Sequence, residues 1–263
     1  MKKLSISLVC YKPDLKVLKE TFVCIGKIKP DLWELVLLDN SEDSSDTQDL
    51  EVLVKEVFSG SGNVKIIKSS NDGFGAGHNL CFENTSSEYH LVLNPDIEFE
   101  EKSLMGMIAF LERHNEFALL SPSVFGPDGM RHFLCKTNPS LILMFLRSFA
   151  PGFVKRYFKA FMDSHEMLEK DYDKVMLNVP YLTGCFMLFR SEIFRKIQGF
   201  DEKFFLYYED ADISRRLLES ASSIYHPDYK VIHHWQRGAH KKLSLKWEAI
   251  KSGFYYSFKW FLK

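Results

Sequence analysis

The sequence predicts an α/β fold with a mostly parallel sheet flanked by helices. Strand-like and helix-like segments alternate through the first hundred residues, and the strand-like runs end in polar or acidic residues. With 263 residues, 46% of them hydrophobic, the chain is long enough for one large domain or two small ones. Leu4–Ser5–Ile6–Ser7–Leu8–Val9 has strand character and is closed by the turn chemistry of Pro13–Asp14. Residues 15–28 repeat apolar positions at helical spacing, with Leu15, Leu18, Phe22 and Ile25 on one face. A second strand over 32–38 ends at Asp39–Asn40–Ser41, and a polar, acidic loop through Asp49 precedes a short helix over 50–58. A third strand over 64–67 leads through Gly73–Phe74–Gly75–Ala76–Gly77 into a helix from about residue 78. The fourth strand, Leu91–Val92–Leu93, runs into Asn94–Pro95–Asp96. Ligands of such sheets sit at the carboxyl ends of the strands, where all of these polar segments fall.

The second half is less regular. Residues 140–161 are strongly apolar and aromatic but interrupted by Arg147, Pro151, Gly152, Lys155 and Arg156, and a charged, helical pattern follows over 163–174. Lys plus Arg (34) nearly cancel Asp plus Glu (35), which argues against a general nucleic-acid binder. The five cysteines are scattered and odd in number, with no C-x-x-C pair. That pattern fits free thiols in a reducing compartment rather than a disulfide framework or structural zinc. No signal peptide and no apolar run of membrane-spanning length is recognisable, so a cytosolic protein, or one on the cytosolic face of a membrane, is expected.

The densest chemical signal is Glu209–Asp210–Ala211–Asp212, three carboxylates in four positions behind the aromatic run of residues 204–208. Acids in the first turn of a helix are favoured by its dipole, which accounts for part of the cluster. Their following an aromatic run suggests in addition a buried carboxylate able to accept a proton from a hydroxyl. Asp39 and Asn40 stand where a carboxylate and an amide can orient a nucleobase, although, taken alone, a turn or helix cap explains them better. Asn71–Asp72–Gly73–Phe74–Gly75–Ala76–Gly77–His78–Asn79 is a glycine-rich turn before a helix, suited to close approach of backbone N–H groups to phosphate. Its G-x-G-x-G spacing matches neither a dinucleotide fingerprint nor a Walker loop. Asp96 offers one carboxylate at a strand end, enough for a divalent cation whose remaining ligands are phosphate oxygens, water and a distant second residue. His233 and His234 follow another strand-like run and point to opposite faces, so at most one of them reaches such a site.

Taken in order, Asp39–Asn40, the 71–79 glycine turn, Asn94–Pro95–Asp96, Gly199–Phe200–Asp201–Glu202, Glu209–Asp210-x-Asp212 with Arg216, and His233 resemble the family 2 glycosyltransferases. The likeness runs from about residue 4 to about residue 240 and is greatest to bacterial rhamnosyltransferases of O-antigen and other polysaccharide assembly. It implies a GT-A domain over 1–240, with a nucleotide-sugar half to about residue 100, an acceptor half beyond it, and a C-terminal acceptor-binding and helical part. It also implies roles. Asp210 is the general base and Glu209 its acidic neighbour. Asp39, Asn40, Asn71, Gly73, Gly75, Gly77, Asn79, Asn94, Gly184 and Arg216 line the substrate site. Asp96 and His233 hold Mg²⁺ or Mn²⁺. Asn94 departs from the Asp-x-Asp pattern of many relatives. The implied reaction is inverting transfer of a sugar, rhamnose from dTDP-rhamnose, to a polyprenyl-diphosphate-linked saccharide. A UDP-sugar donor (galactose or GlcNAc) is the alternative, and a non-catalytic nucleotide-sugar-binding protein is a more distant one.

A last segment, residues 241–263, carries Lys241, Lys242, Lys246, Lys251, Lys259 and Lys263 among aromatic residues against a single acid, Glu248. Such a segment, like residues 141–161, can lie in a lipid interface or pack as a helix on the domain. With the resemblance, it gives the expectation of peripheral attachment to the cytoplasmic face of the inner membrane.

Overall fold

The computed structural model describes residues 2–42, 44–59, 62–148, 150–235 and 243–261. At its centre is a ten-stranded mixed sheet. Strands β1 (Lys2–Cys10), β2 (Trp33–Asp39), β3 (Val64–Lys68) and β4 (Ser87–Leu93) form its parallel half in the order β3-β2-β1-β4. Strand order reverses between β1 and β4, which opens the crevice where open α/β sheets bind ligands. The sheet continues through β11 (Phe186–Arg190), antiparallel to β4, then β6 (Phe117–Phe125) and β12 (Ser222–His233), parallel to each other, and the short edge strand β5 (Ile97–Phe99). These directions put the ends of β1, β2, β4 and β12 and the start of β11 along one edge of the sheet.

The alternation of β1 explains how its two faces are filled. Leu4, Ile6 and Leu8 point to one face and are fully buried with residues of α1 (Leu15–Gly26), α2 (Ser44–Phe58) and α4 (Glu101–Arg113). Each such side chain contributes about 1.5–3 kcal/mol of burial. Ser5 and Ser7 point to the other face and meet two buried histidines. Ser5 Oγ is 2.8 Å from His90 Nδ1, and Ser7 Oγ lies 2.6 Å from His78 Nδ1 and 3.1 Å from His90 Nε2. Burial drives the His90 pKa down to about 3 and His78 well below its ordinary range, so both rings are neutral. A second core on that face joins Val92, Met187 and Phe189 of the sheet to Phe82, Phe194, Ile213 and Leu217.

Several elements differ from the sequence reading. The helix α2 begins at Ser44 instead of residue 50, with Asp46 in its first turn where the dipole favours an acid. The helix α3 (Phe74–Glu83) starts within the glycine turn, not after it. Strand β4 extends back to Ser87, because Ser5 and Ser7 provide partners for polar side chains that looked unsuited to a buried strand. Residues 141–165 form three short helices, α5 (Leu141–Ser148), α6 (Gly152–Tyr157) and α7 (Lys159–His165). The charged stretch beyond does not continue as helix: Met167 adopts a left-handed φ of 49°. The C-terminal helix α10 (Leu243–Phe261) packs against α5 and against the segment preceding α9 (Glu209–Leu218). Lys241, Lys242, Leu262 and Lys263 of the basic tail lie outside the described residues.

Candidate active site

Asn94–Pro95–Asp96 leaves the end of β4 as a turn held at three points. Asn94 N–H donates to the Cys185 carbonyl (3.0 Å), Thr21 Oγ1 of α1 donates to the Pro95 carbonyl (3.0 Å), and His234 N–H donates to the Asp96 carbonyl (2.9 Å). The last bond ties the turn to the end of β12 and aligns the two histidines. His233 Nε2 comes 3.2 Å from Asp96 Oδ1, whereas His234 turns away to bond Glu98. The 3.2 Å approach is close enough for an ion pair but off the angle of a well-formed hydrogen bond, and Asp96 Oδ1 and His233 Nδ1 remain buried without hydrogen-bond partners. Burial opposes a charged imidazole at His233, but the Asp96 carboxylate and the Cys185 sulfur outweigh it and hold the pKa up at about 10. A divalent cation bound chiefly by phosphate oxygens would take the place of that proton between the carboxylate oxygen and the imidazole nitrogen. Among the described residues no group of three or more His, Cys, Asp or Glu side chains is disposed to hold a metal ion. Asp96 and His233 could hold one only as part of a shell completed by phosphate oxygens and water.

The acid cluster opens α9. Tyr207 and Tyr208, just before it, both take left-handed conformations (φ 71° and 70°), which is strained for tyrosine. The backbone thereby turns sharply and delivers Glu209, Asp210 and Asp212 to buried positions, at 5, 7 and 0% exposure. Of the aromatic run ahead of them only Phe204 is fully buried; residues 205–208 are half-buried. Asp210 Oδ2 accepts from Gly184 N–H and Oδ1 from Ala211 N–H, each at 3.0 Å. Burial raises the pKa of Asp210, held back in turn by the Gly184 N–H, the Lys136 ammonium, the Tyr181 hydroxyl and the Ala211 N–H. Burial and the neighbouring Asp210 charge push Glu209 well above the ordinary carboxylate range, and its Oε2 has no hydrogen-bond partner. Of the two, Glu209 is the more strongly driven to its neutral form, and the donors favour the charge on Asp210.

Asp212 does different work. It pairs with Arg216 (2.7 Å) and accepts from Lys259 (2.7 Å) and Trp260 Nε1 (3.0 Å). Arg216 also donates to the carbonyls of Ile197 and Gly199. Its guanidinium is thus engaged on three sides within the fold. Asn79 is engaged in the same way. Its amide donates to the Phe200 carbonyl (2.9 Å) and to Glu202 (3.0 Å) and accepts from Phe200 N–H (2.9 Å), clamping residues 199–202 to α3. Gly184 likewise uses its N–H on Asp210, as a positioning residue.

The glycine turn is shaped by this chain itself. A Cβ on Gly73 (φ 107°) would lie 2.3 Å from the Phe205 carbonyl oxygen, and one on Gly75 would lie 2.7 Å from Phe200 Cβ. One on Gly77 would collide with Val9 and Leu38. The alternating glycines bring α3 onto β1, β2 and the 200–205 segment, and these contacts account for their spacing. A cleft of about 390 Å³ opens beside them, lined by Asn40, Ser69, Ser70, Asp72, Gly77 and Glu202 among others. Asp39 is fully buried and its oxygens accept from Ser41 N–H (2.9 Å) and Thr47 Oγ1 (2.6 Å). Asn40 Oδ1, in contrast, is buried without a partner. Asn71 is half-buried on the same turn.

Gly184 and Cys185 join the two halves at the head of β11. Gly184 holds Asp210, and Cys185 contacts both Asn94 and His233. Lys136, Tyr181 and Cys185 were missed in the sequence, where no local pattern marks them. Lys136 and Tyr181 come together by antiparallel pairing of β8 (Cys135–Lys136) with β10 (Tyr181–Leu182), 45 residues apart in register.

The family model described as glycosyl transferase family 2 matches residues 5–198, well over half of the chain. The chain belongs to glycosyl transferase family 2. A second model, described as the N-terminal domain of galactosyltransferase, matches residues 165–241, the stretch holding Asp210 and His233. The chain is 29% identical over 148 residues to N-acetylglucosaminyl-diphospho-decaprenol L-rhamnosyltransferase of Mycobacterium tuberculosis, a match over 56% of the chain and 47% of that protein. It thus spans about half the length of that relative. It is 24% identical over 236 residues to rhamnosyltransferase WbbL of Escherichia coli (strain K12), covering 85% of the chain and 81% of that protein.

Among solved structures it resembles the mannosyltransferase PcManGT from Pyrobaculum calidifontis in complex with GDP-Man and Mn²⁺ (TM-score 0.62, 12% identity, 90% of this chain and 59% of that one). It also resembles GalNAc-T7 with UDP, GalNAc and Mn²⁺ (TM-score 0.64, 14% identity, 90% of this chain and 44% of that one). These likenesses establish the GT-A fold of family members such as this chain.

Proposed function

We propose that the protein is an inverting, metal-dependent glycosyltransferase that moves rhamnose from dTDP-rhamnose to a lipid-linked saccharide in surface polysaccharide (O-antigen) assembly. The observation that carries this reading is the junction at Gly184–Cys185, which sets a buried anionic carboxylate beside a carboxylate–imidazole pair. The two rhamnosyltransferases named above favour rhamnose as the sugar. The M. tuberculosis relative is named for a decaprenyl-diphosphate acceptor, which favours a polyprenyl-diphosphate-linked sugar here.

In this reading Asp210 accepts the proton of an acceptor hydroxyl as that oxygen bonds to the anomeric carbon. The bond from that carbon to the nucleoside diphosphate breaks on the opposite face, and the electron pair leaves with the diphosphate, so one displacement inverts the configuration. Glu209, neutral beside Asp210, is placed to orient the acceptor. Asn40, with its unspent buried oxygen, is better placed than Asp39 to accept from a base N–H. Asp96 and His233 would hold Mg²⁺ or Mn²⁺, which neutralises charge on a departing diphosphate. The match to a galactosyltransferase model over residues 165–241 favours a second reading, the same reaction with a UDP-sugar. Attachment to the cytoplasmic face of the inner membrane, as a peripheral protein, would follow from a lipid-linked acceptor; among the described residues no helix is long and apolar enough to cross a membrane.

The test offers dTDP-rhamnose, UDP-galactose and UDP-GlcNAc separately with a lipid-diphosphate-GlcNAc acceptor, with and without chelator, and identifies the product. Transfer of rhamnose alone, abolished by chelator and restored by Mg²⁺ or Mn²⁺, is the expected outcome. Full transfer in excess chelator would overturn the metal assignment, and transfer only from a UDP-sugar would overturn the donor.

A further inference from the structure

The helix α10 has two chemically distinct faces. Its inner face is locked onto the segment that carries Asp210. Ser252 Oγ donates to the Leu206 carbonyl (2.8 Å), Tyr255 OH to Asp201 (2.9 Å), and Lys259 to Asp201 and Asp212 (both 2.7 Å). Tyr256 is buried against the ring of Tyr208, one of the two strained residues that open α9, and Gly253 leaves room for that same ring.

Among the described residues the outer face has no such partners. Trp247, Phe254, Phe258 and Phe261 are exposed at 65, 56, 66 and 85%, and their 247–254–258–261 spacing places them on one helical stripe together with exposed Lys251. The helix α5 packs beside α10, with Met144 against Gly253, and adds exposed Ile142 and Phe145. Next in the chain, α6 adds exposed Phe153 and Tyr157 with exposed Arg156 between them. Four large aromatics aligned in water are costly unless something covers them.

We propose that this stripe is a bilayer-docking face for anionic lipid, and that docking stiffens the inner face and thereby the backbone turn that presents Asp210. The second part rests on Asp210 being the base. The chemistry commits the face to lipid. Phe and Trp rings interleaved with Lys and Arg suit the headgroup boundary, where rings insert and cations meet anionic phosphates. The one acid of α10, Glu248, is half-buried and lies 3.7 Å from Lys251, so no carboxylate stands on the stripe to oppose an anionic surface. Because the same helix clasps residues 201–212, order imposed on one side is transmitted by direct contact to the other.

Flotation of the full-length protein with vesicles of phosphatidylglycerol and phosphatidylcholine, against phosphatidylcholine alone, tests the face. Wild type should float with the anionic vesicles, and a Phe254→Ser/Phe258→Ser variant, folded by circular dichroism, should partition at least about tenfold more weakly. Wild type remaining in the soluble fraction at low salt would overturn the proposal. So would a variant that floats like wild type, or a stripe buried by self-association, seen as a dimer that the variant dissolves.

Hydrogen exchange tests the coupling without using activity. Amides of residues 201–212 should exchange several-fold more slowly on anionic vesicles in wild type and not in the variant. Unchanged exchange in vesicle-bound wild type would overturn the coupling. Loss of all sugar transfer with flotation and exchange as expected would instead strike the glycosyltransferase reading.

Discussion

Asp210 and Glu209 are adjacent in sequence, yet burial separates their protonation. Donors gathered from Gly184, Ala211 and Tyr181, with Lys136 nearby, stabilise the Asp210 anion, while Glu209 has one oxygen with no partner at all. Asp210→Asn should therefore keep donor affinity and lose about 10²–10⁴-fold in turnover, measured by steady-state kinetics beside nucleotide titration calorimetry. Because the Asp210 pKa is raised, turnover should decline on acidification at a pH above the ordinary aspartate range, as a pH–rate profile would show. Glu209 makes a stability prediction. Its folded pKa lies above its unfolded one, so the stability it contributes is complete below the unfolded pKa and is lost as pH rises through the folded pKa. Glu209→Gln removes that loss. The variant should melt at a higher temperature than wild type at neutral pH and at the same temperature near pH 4, by thermal denaturation across pH.

At the scale of elements, the site depends on turns that are pinned to one another. Asn79 on α3 uses both ends of its amide to hold residues 199–202, and Arg216 on α9 reaches the Gly199 carbonyl of the same turn from the other side. Asn79→Ala would leave the Phe200 N–H and carbonyl without these partners, at a cost of about 1–3 kcal/mol. Urea denaturation should show that loss, and transfer activity should fall with it because Phe205, just beyond, packs on Gly73 at the head of α3. The glycine turn was conspicuous in the sequence, but its reason was not. G-x-G-x-G signals close backbone approach; only the packing shows that what approaches is Phe200, Phe205, Val9 and Leu38. Boundaries were also misread where a partner was distant. Strand β4 looked shorter than it is because His90 and Ser87 are polar, and the serines of β1 that satisfy them are more than eighty residues away.

At the scale of the whole molecule, the parallel strands β1–β4 and the later strands meet at the start of β11, and α10 braces the segment ahead of α9 from outside. The cleft beside Asn40 and Gly77 is lined by the ends of β2 and β3 and by α3, with Glu202 its one lining residue from the segment that α10 clasps. Truncation before Leu243 should therefore leave nucleotide binding measurable while abolishing transfer. It should also lower the melting temperature, because Phe204 and Ala211 lose the cover of Tyr256. Calorimetry with the nucleoside diphosphate, beside the transfer assay, separates these effects.

The α/β class, the order of the strand-end polar segments and the places of the carboxylates Asp96, Glu209 and Asp210 were all legible in the sequence. Those depend on local pattern: hydrophobic period, turn chemistry and carboxylates at strand and helix ends. Tertiary structure alone decided how the polar residues divide their labour. Asn79, Gly184 and Arg216 each bond within the fold, while Lys136, Tyr181 and Cys185 come to lie beside Asp210 and His233 with no local pattern to announce them. It also decided that α10 faces inward to Asp201 and Asp212 and outward with Trp247 and its aromatic neighbours. A hydrogen-bonding group has a fixed valence, and whether it is spent within the fold or left for a substrate depends on partners a hundred residues away, which no local pattern encodes.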